Sequence, residues 1–295
     1  MNRRFLTGTG VAIVTPFHED KTVDLESLGK LTRYLVDNKV DYIVVLGTTG
    51  ESVVLSKEEK KQVVHKVISA AEGKADIVVG IGGNNTEDVL KNIREFDYEG
   101  VHAILSVCPY YNKPNQRGLY EHFKAIALES KVPVIVYNVP GRTGTNLAAD
   151  TTVRLAHDIK NIVAVKEASG NMEQIMQIIR DKPSDFLVIS GDDLLTLPII
   201  ACGGAGVISV SANAFPRQVV SMVQHALVGN FREALPYHYQ LMEVARLLFS
   251  EGSPAGIKAV LHHLGLVKNE LRLPLVPVTE ATYQKLASAA DAILK

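Results

Sequence analysis

Residues Asn161-Ile-Val-Ala-Val-Lys166-Glu-Ala-Ser-Gly170 set a lysine directly after a short apolar run rich in β-branched residues. Such a run reads as a strand covered on both faces. An ammonium at its mouth is costly unless something pairs it or uses it. In a closed parallel barrel, reacting side chains project from the C-terminal ends of the strands. A lysine there is a candidate Schiff-base nucleophile, because low dielectric favours its neutral amine. The ordinary alternative is a lysine paired with a carboxylate at a strand end, and the rest of the chain decides between the two.

Seven further runs share the character of 161–165. They cover residues 10–14, 41–46, 76–81, 101–107, 132–137, 185–190 and 205–209. Amphipathic segments with helix-start signals lie between them. Ser56-Lys-Glu-Glu59 is a capping box, Asp24 precedes Leu25, Leu28, Leu31 and Leu35 on one helical face, and Thr86-Glu-Asp puts acids at a helix start. Eight strand–helix alternations predict an α/β fold, a (β/α)8 barrel rather than an open doubly wound sheet. After residue 210 no strand pattern remains, and residues 215–250, 253–267 and 279–294 read as helices. The expected organisation is a catalytic barrel over 1–228 and a helical C-terminal extension over 229–295 packed on it.

Bulk properties exclude several classes. The chain has 295 residues, 46% hydrophobic and 21% charged, with a formal net charge of −1. That balance favours neither nucleic acid nor an anionic membrane as partner. Cys108 and Cys202 form no CxxC pair and no disulfide framework. No apolar run approaches the roughly 20 residues of a membrane span, and the basic first residues lack the apolar core of a signal peptide. The expectation is a soluble, cytoplasmic protein. No HExxH or Cys/His cluster suggests a metal, and Gly80-Ile-Gly-Gly83 lacks the Lys-[Ser/Thr] ending of a phosphate loop.

The polar motifs fall at the ends of the expected strands. Gly47-Thr-Thr-Gly-Glu-Ser52 follows the second, Cys108-Pro-Tyr-Tyr-Asn-Lys-Pro114 the fourth, and Tyr137-Asn-Val-Pro-Gly-Arg-Thr-Gly144 the fifth. Lys166 follows the sixth, Ser190-Gly-Asp-Asp193 the seventh, and Val207-Ile-Ser209 closes the eighth. On a barrel these ends converge on one cup. Lys166 can form an imine with a keto acid, and Tyr137 can move protons, linked through Thr48 and Tyr111 to water. The Gly47–Gly50 turn with Thr49, and the Arg142 fork, can hold carboxylates. Taken alone, each has a plainer reading: Tyr137 as packing, Gly-Thr-Thr-Gly as a tight turn, Arg142 as a surface ion pair, and Cys108 as a small buried residue. His262 and His263 read as helix surface and helix core, since adjacent residues do not share a helical face.

The motif set resembles the dihydrodipicolinate synthase (4-hydroxy-tetrahydrodipicolinate synthase) family, within the lysine-Schiff-base aldolases related to N-acetylneuraminate lyase. The likeness spans essentially the whole chain. It rests on G-T-T-G-E-S, the stretch from Pro109 to Phe123, Y-N-V-P-G-R-T-G, K-E-A-S-G, S-G-D-D and G-V-I-S. The resemblance implies a pyruvate imine on Lys166 and a proton relay of Tyr137, Thr48 and Tyr111, with the Tyr111 match donated to a neighbouring subunit. It implies Thr49 on the pyruvate carboxylate, Arg142 on the carboxylate of L-aspartate 4-semialdehyde, and backbone carbonyls from Gly191 and Ile208. It further implies a homotetramer built as a dimer of dimers, and no cofactor or metal.

Neuraminate lyases and keto-deoxy-sugar-acid aldolases share the lysine and tyrosine. Neuraminate lyases typically read G-S-T-G-E at the second strand and lack the arginine, so Thr48 and Arg142 favour the synthases. A catalytically silent, metabolite-binding barrel would not need the full set of chemical residues found here. In lysine-inhibited members, the residues matching Ser52, Val53, Lys57, Lys60, Asn84, Asp88 and Tyr110 form an effector site between subunits. This chain departs there: plant and many Gram-negative inhibited members carry His, Glu or Trp in the helix where it has Lys57 and Lys60, and Glu where it has Asp88. Two ammonium groups beside a cationic effector imply weak or absent lysine feedback.

Overall fold

In a computed structural model, which describes residues 4–295, the eight apolar runs become eight parallel strands closed into one barrel in sequence order. They are β1 (Gly8–Ala12), β2 (Tyr42–Val45), β3 (Asp76–Gly80), β4 (Ala103–Val107), β5 (Val134–Asn138), β6 (Ile162–Glu167), β7 (Leu187–Ser190) and β8 (Gly206–Ser209). The first strand begins and ends two residues before the expected 10–14. Ile13 N–H makes a last bond to the Val44 carbonyl (3.1 Å), and the Asn213 amide takes over, donating to the Ala12 carbonyl (2.8 Å) and accepting from Val14 N–H (3.2 Å).

The helices are α1 (Leu25–Asp37), α2 (Lys57–Ala71), α3 (Thr86–Glu95), α4 (Gln116–Glu129), α5 (Pro140–Thr143), α6 (Ala149–Asp158), α7 (Met172–Asp181), α8 (Thr196–Ala201), α9 (Pro216–Leu227), α10 (Phe231–Leu247), α11 (Ala255–His263) and α12 (Glu280–Leu294). The capping box forms as read: Ser56 Oγ accepts from Glu59 N–H (3.2 Å) and Glu59 Oε2 accepts from Ser56 N–H (2.8 Å). The expected helix over 215–250 is two helices. Gly229 takes a left-handed φ of 79° between α9 and α10, a conformation glycine adopts without a Cβ penalty. His263 is half-buried and bonded to Asp291 (2.8 Å), not a core residue, because α12 covers that side of α11 with a polar edge. Among the described residues, no helix is long and apolar enough to cross a membrane.

Two apolar cores follow from the alternation of strand side chains. Val11, Ile43, Val45, Val79, Ile104, Val136 and Val165 face the helices, whereas Ala12, Val44, Val78, Leu105, Ile135 and Ile189 fill the barrel. One irregularity sets the face on which Lys166 lies. The β5–β6 register runs Val134↔Ile162 and then Ile135↔Ala164, so β6 carries one extra residue. Val163 and Ala164 both belong to the barrel interior. This bulge puts Tyr137 opposite Lys166 with both side chains inward. Without the extra residue, Lys166 would pair with Asn138 and point outward, since a one-residue slip reverses the face of every following side chain.

Candidate active site

Burial on β6 does to Lys166 what its sequence context suggested. The side chain is 6% exposed, and its Nζ lies 4.3 Å from the centroid of the Tyr137 ring. Burial brings the ammonium down to about 7; the Asp193 carboxylate pulls the other way, and the Arg142 guanidinium adds to the lowering. A large fraction of the amine is therefore neutral and nucleophilic near neutral pH. Tyr137 responds in the opposite sense: burial pushes its phenol up to about 12, opposed by Arg142. It stays protonated and able to donate.

Space for the lysine comes from Gly191. A Cβ there would come within 3.0 Å of Lys166 Cε and 2.7 Å of Ala168 Cβ. Asp193 is fixed by the chain following β8, with Oδ2 accepting from Val210 N–H (3.1 Å), Ser211 N–H (2.9 Å) and Ser211 Oγ (2.9 Å). Its charge thus has a defined place beside the amine. The next residue on β6, Glu167, points the other way and is fully buried. It accepts from Asn138 Nδ2 (3.2 Å), Ser169 N–H (2.8 Å) and Gln174 Nε2 (3.2 Å), and desolvation raises its pKa. Asn138 follows Tyr137, so this polar knot ties β5 and β6 together behind the barrel wall.

A cleft of about 1310 Å³ reaches from the lysine at the C-terminal ends of the strands outwards along α2 and the end of α3, and to the end of α10. Thr48, Thr49, Tyr137, Arg142, Lys166 and Gly191 line it together, as do Ser52, Val53, Lys57, Lys60 and Tyr110. Arg142, on α5, has an exposed side chain without a hydrogen-bonding partner among the described residues. Tyr111 is 88% exposed and lies outside the cleft lining, with a left-handed φ of 73°. Ile208 is buried inside the barrel and Val210 reaches the cleft in its place. Asn84 and Asp88 are also outside the lining. The Asn84 carbonyl accepts from Asn112 Nδ2 (2.7 Å), and Asp88 accepts from Asn85 Nδ2 (2.8 Å).

The sequence matches the Dihydrodipicolinate synthetase family model over residues 5–293. This chain belongs to the dihydrodipicolinate synthetase family. Family likeness extends to individual proteins over nearly the full length. The 4-hydroxy-tetrahydrodipicolinate synthase of Parabacteroides distasonis is 51% identical over 281 residues, 95% of each chain. That of Azobacteroides pseudotrichonymphae is 50% identical over 289 residues, 98% of each. The crystal structure of dihydrodipicolinate synthase from Thermotoga maritima superposes with a TM-score of 0.96 at 40% identity, covering 98% of this chain and 99% of that one.

Three features of this family member are not evident from its sequence alone. Asp193 ends the Ser190–Asp193 motif, but its electrostatic tie to Lys166 depends on the turn between β7 and α8. Glu167 could have been placed from strand parity, which sets it on the face opposite Lys166. Glu51 and Lys258 form a buried ion pair, and the available signal was a lone lysine inside the apolar segment Ala255-Gly-Ile-Lys-Ala-Val-Leu261.

Proposed function

We propose that this chain condenses pyruvate with L-aspartate 4-semialdehyde through an imine on Lys166, giving (4S)-4-hydroxy-2,3,4,5-tetrahydrodipicolinate. The reaction is the first committed step towards diaminopimelate and lysine. The observation that carries this reading is the inward pairing of Lys166 with Tyr137, in a chain about half identical to proteins named for that activity. Neutral Lys166 attacks the keto carbon of pyruvate and water leaves, forming the iminium. Its positive charge draws electrons from the methyl carbon, which loses a proton to give the enamine. That carbon attacks the aldehyde of the second substrate. The substrate's amine then displaces Lys166, closing the ring and freeing the enzyme.

In this reading Tyr137 carries protons to and from the reacting atoms, with Thr48 beside it at the cleft. Thr49 and the backbone N–H groups of the Gly47–Gly50 turn hold the pyruvate carboxylate, and Arg142 holds that of the semialdehyde. Gly191 and Ile208 contribute backbone carbonyls. The exposure of Tyr111 outside its own cleft suits donation to a neighbouring subunit, so the active assembly is at least a dimer and, in this reading, a homotetramer. Borohydride reduction in the presence of pyruvate tests the imine. One reduced pyruvyl adduct at Lys166 is expected, and its absence, or an adduct elsewhere, contradicts the reading.

The lowered lysine pKa gives this reaction a pH signature. Only neutral amine attacks, so the rate of trapping at low pyruvate should rise with pH through about 7 and level off above it. An ordinary lysine would keep rising to about 10. Asp193 raises the Lys166 pKa, so Asp193→Asn should move this rise to lower pH. A profile unmoved by that substitution would mean that Asp193 does not act on the amine.

Feedback by lysine is expected to be weak. Lys57 and Lys60 both line the cleft; Lys57 is tied to Glu95 at 3.2 Å, and burial together with Lys57 lowers the Lys60 pKa. A cationic effector there would meet two ammonium groups. Titration with L-lysine should leave most activity at about 1 mM, because like charge at the site lowers the affinity of a cationic effector. Strong inhibition below a millimolar would refute this.

A further inference from the structure

Outside the cleft lining, the buried Glu51–Lys258 pair joins the C-terminal helices to the turn that reads the pyruvate carboxylate. Lys258 Nζ donates to Glu51 Oε1 (2.5 Å) and to the Glu270 carbonyl (2.8 Å), and lies 4.2 Å from the centroid of the Phe17 ring. Both side chains are at most 1% exposed. The other carboxylate oxygen of Glu51 accepts from Arg272 N–H (3.1 Å). The backbone of Glu51 is itself left-handed, with φ of 51°, a conformation that a residue with a Cβ keeps only when its surroundings impose it.

That constrained residue is bonded into the substrate turn. Glu51 N–H donates to the Thr48 carbonyl (3.1 Å), and Thr15 Oγ1 donates to the neighbouring Gly50 carbonyl (2.7 Å). Any swing of Glu51 therefore moves the Thr48–Thr49 segment. A buried ion pair is weak evidence for stability as such, because well-packed apolar residues of similar volume often serve the fold as well or better. Directed hydrogen bonds that fix one backbone conformation are something apolar packing supplies less well.

We propose that Glu51 and Lys258 are positioning residues, through which the C-terminal helices hold Thr48 and Thr49 in the geometry that binds pyruvate. The inference rests on the reading of that turn as the pyruvate carboxylate site. It makes α11 part of the substrate apparatus although none of its side chains lines the cleft.

The test compares Glu51→Gln, Lys258→Met and the double variant Glu51→Leu/Lys258→Met with the wild type. Melting temperature, pyruvate concentration for half-maximal borohydride trapping, and KM for each substrate are measured. The Gln variant keeps the size and the acceptor, so it keeps the question answerable if the Met variant does not fold. The single variants should raise the pyruvate requirement about tenfold to a hundredfold, as misplaced binding groups do, with the semialdehyde KM little changed. The double variant should regain melting temperature but not pyruvate affinity. A double variant that regains both, or a folded Glu51→Gln variant with wild-type pyruvate affinity, overturns the inference and reduces the pair to a fold element. A wild-type chain that traps no pyruvate instead overturns the functional reading, and this inference with it.

Discussion

Lys166→Ala is expected to lose the pyruvate adduct entirely and to lower kcat by on the order of 10⁴-fold or more, with the fold intact. The lysine is the only group in this scheme that bonds to substrate, and removing a covalent nucleophile removes the step rather than weakening it. Deleting its ammonium also relieves a desolvation cost inside the barrel, so the melting temperature should hold or rise. A variant retaining more than about a hundredth of the turnover would point to another nucleophile or to chemistry without an imine. Peptide mass mapping after borohydride reduction separates these outcomes, because it locates any remaining adduct.

The second large effect is expected at Arg142, and it should divide the reaction in two. Arg142→Ala should leave pyruvate trapping near the wild-type level while lowering kcat/KM for the semialdehyde roughly a hundredfold. A charge-assisted contact to a carboxylate is worth about 1.5–3 kcal/mol, and each 1.36 kcal/mol is a factor of about ten. Because Arg142 also helps to hold the Lys166 pKa down, its loss should move the trapping profile to higher pH. Trapping is therefore compared on the plateau, well above the lysine titration. Equal loss of imine formation and condensation would place Arg142 on pyruvate, or in the structure of the cleft, rather than on the second substrate.

Much of this site is legible in the sequence because strand ends are easy to find. The run 161–165 is apolar on both faces and stops at a charge, which locates Lys166 at the open end of a barrel strand. The same property hides the bulge. A strand buried on both sides has no alternation, so nothing in Ile162-Val-Ala-Val165 tells which residue is extra, although that residue decides that Lys166 faces Tyr137. The break between α9 and α10 falls at Gly229 within an otherwise helical pattern, where one glycine does not by itself mark a stop. Glu51 and Lys258 are 207 residues apart in the chain, and each looks ordinary in its own segment. Their partnership arises where the helices that follow the barrel pack back onto it and bring α11 against the segment after β2. Cleft exposure is equally remote from sequence: Tyr110 lines the cleft and Tyr111 does not, although the two are adjacent.

Pyruvate consumption by the purified chain, measured in parallel with L-aspartate 4-semialdehyde and with N-acetylmannosamine, tests the central claim most directly. Rapid turnover with the semialdehyde and none with the sugar is the predicted result. Turnover with the sugar alone would contradict it: the barrel and Lys166 would stand, and Arg142 would not be reading the substrate carboxylate assigned to it.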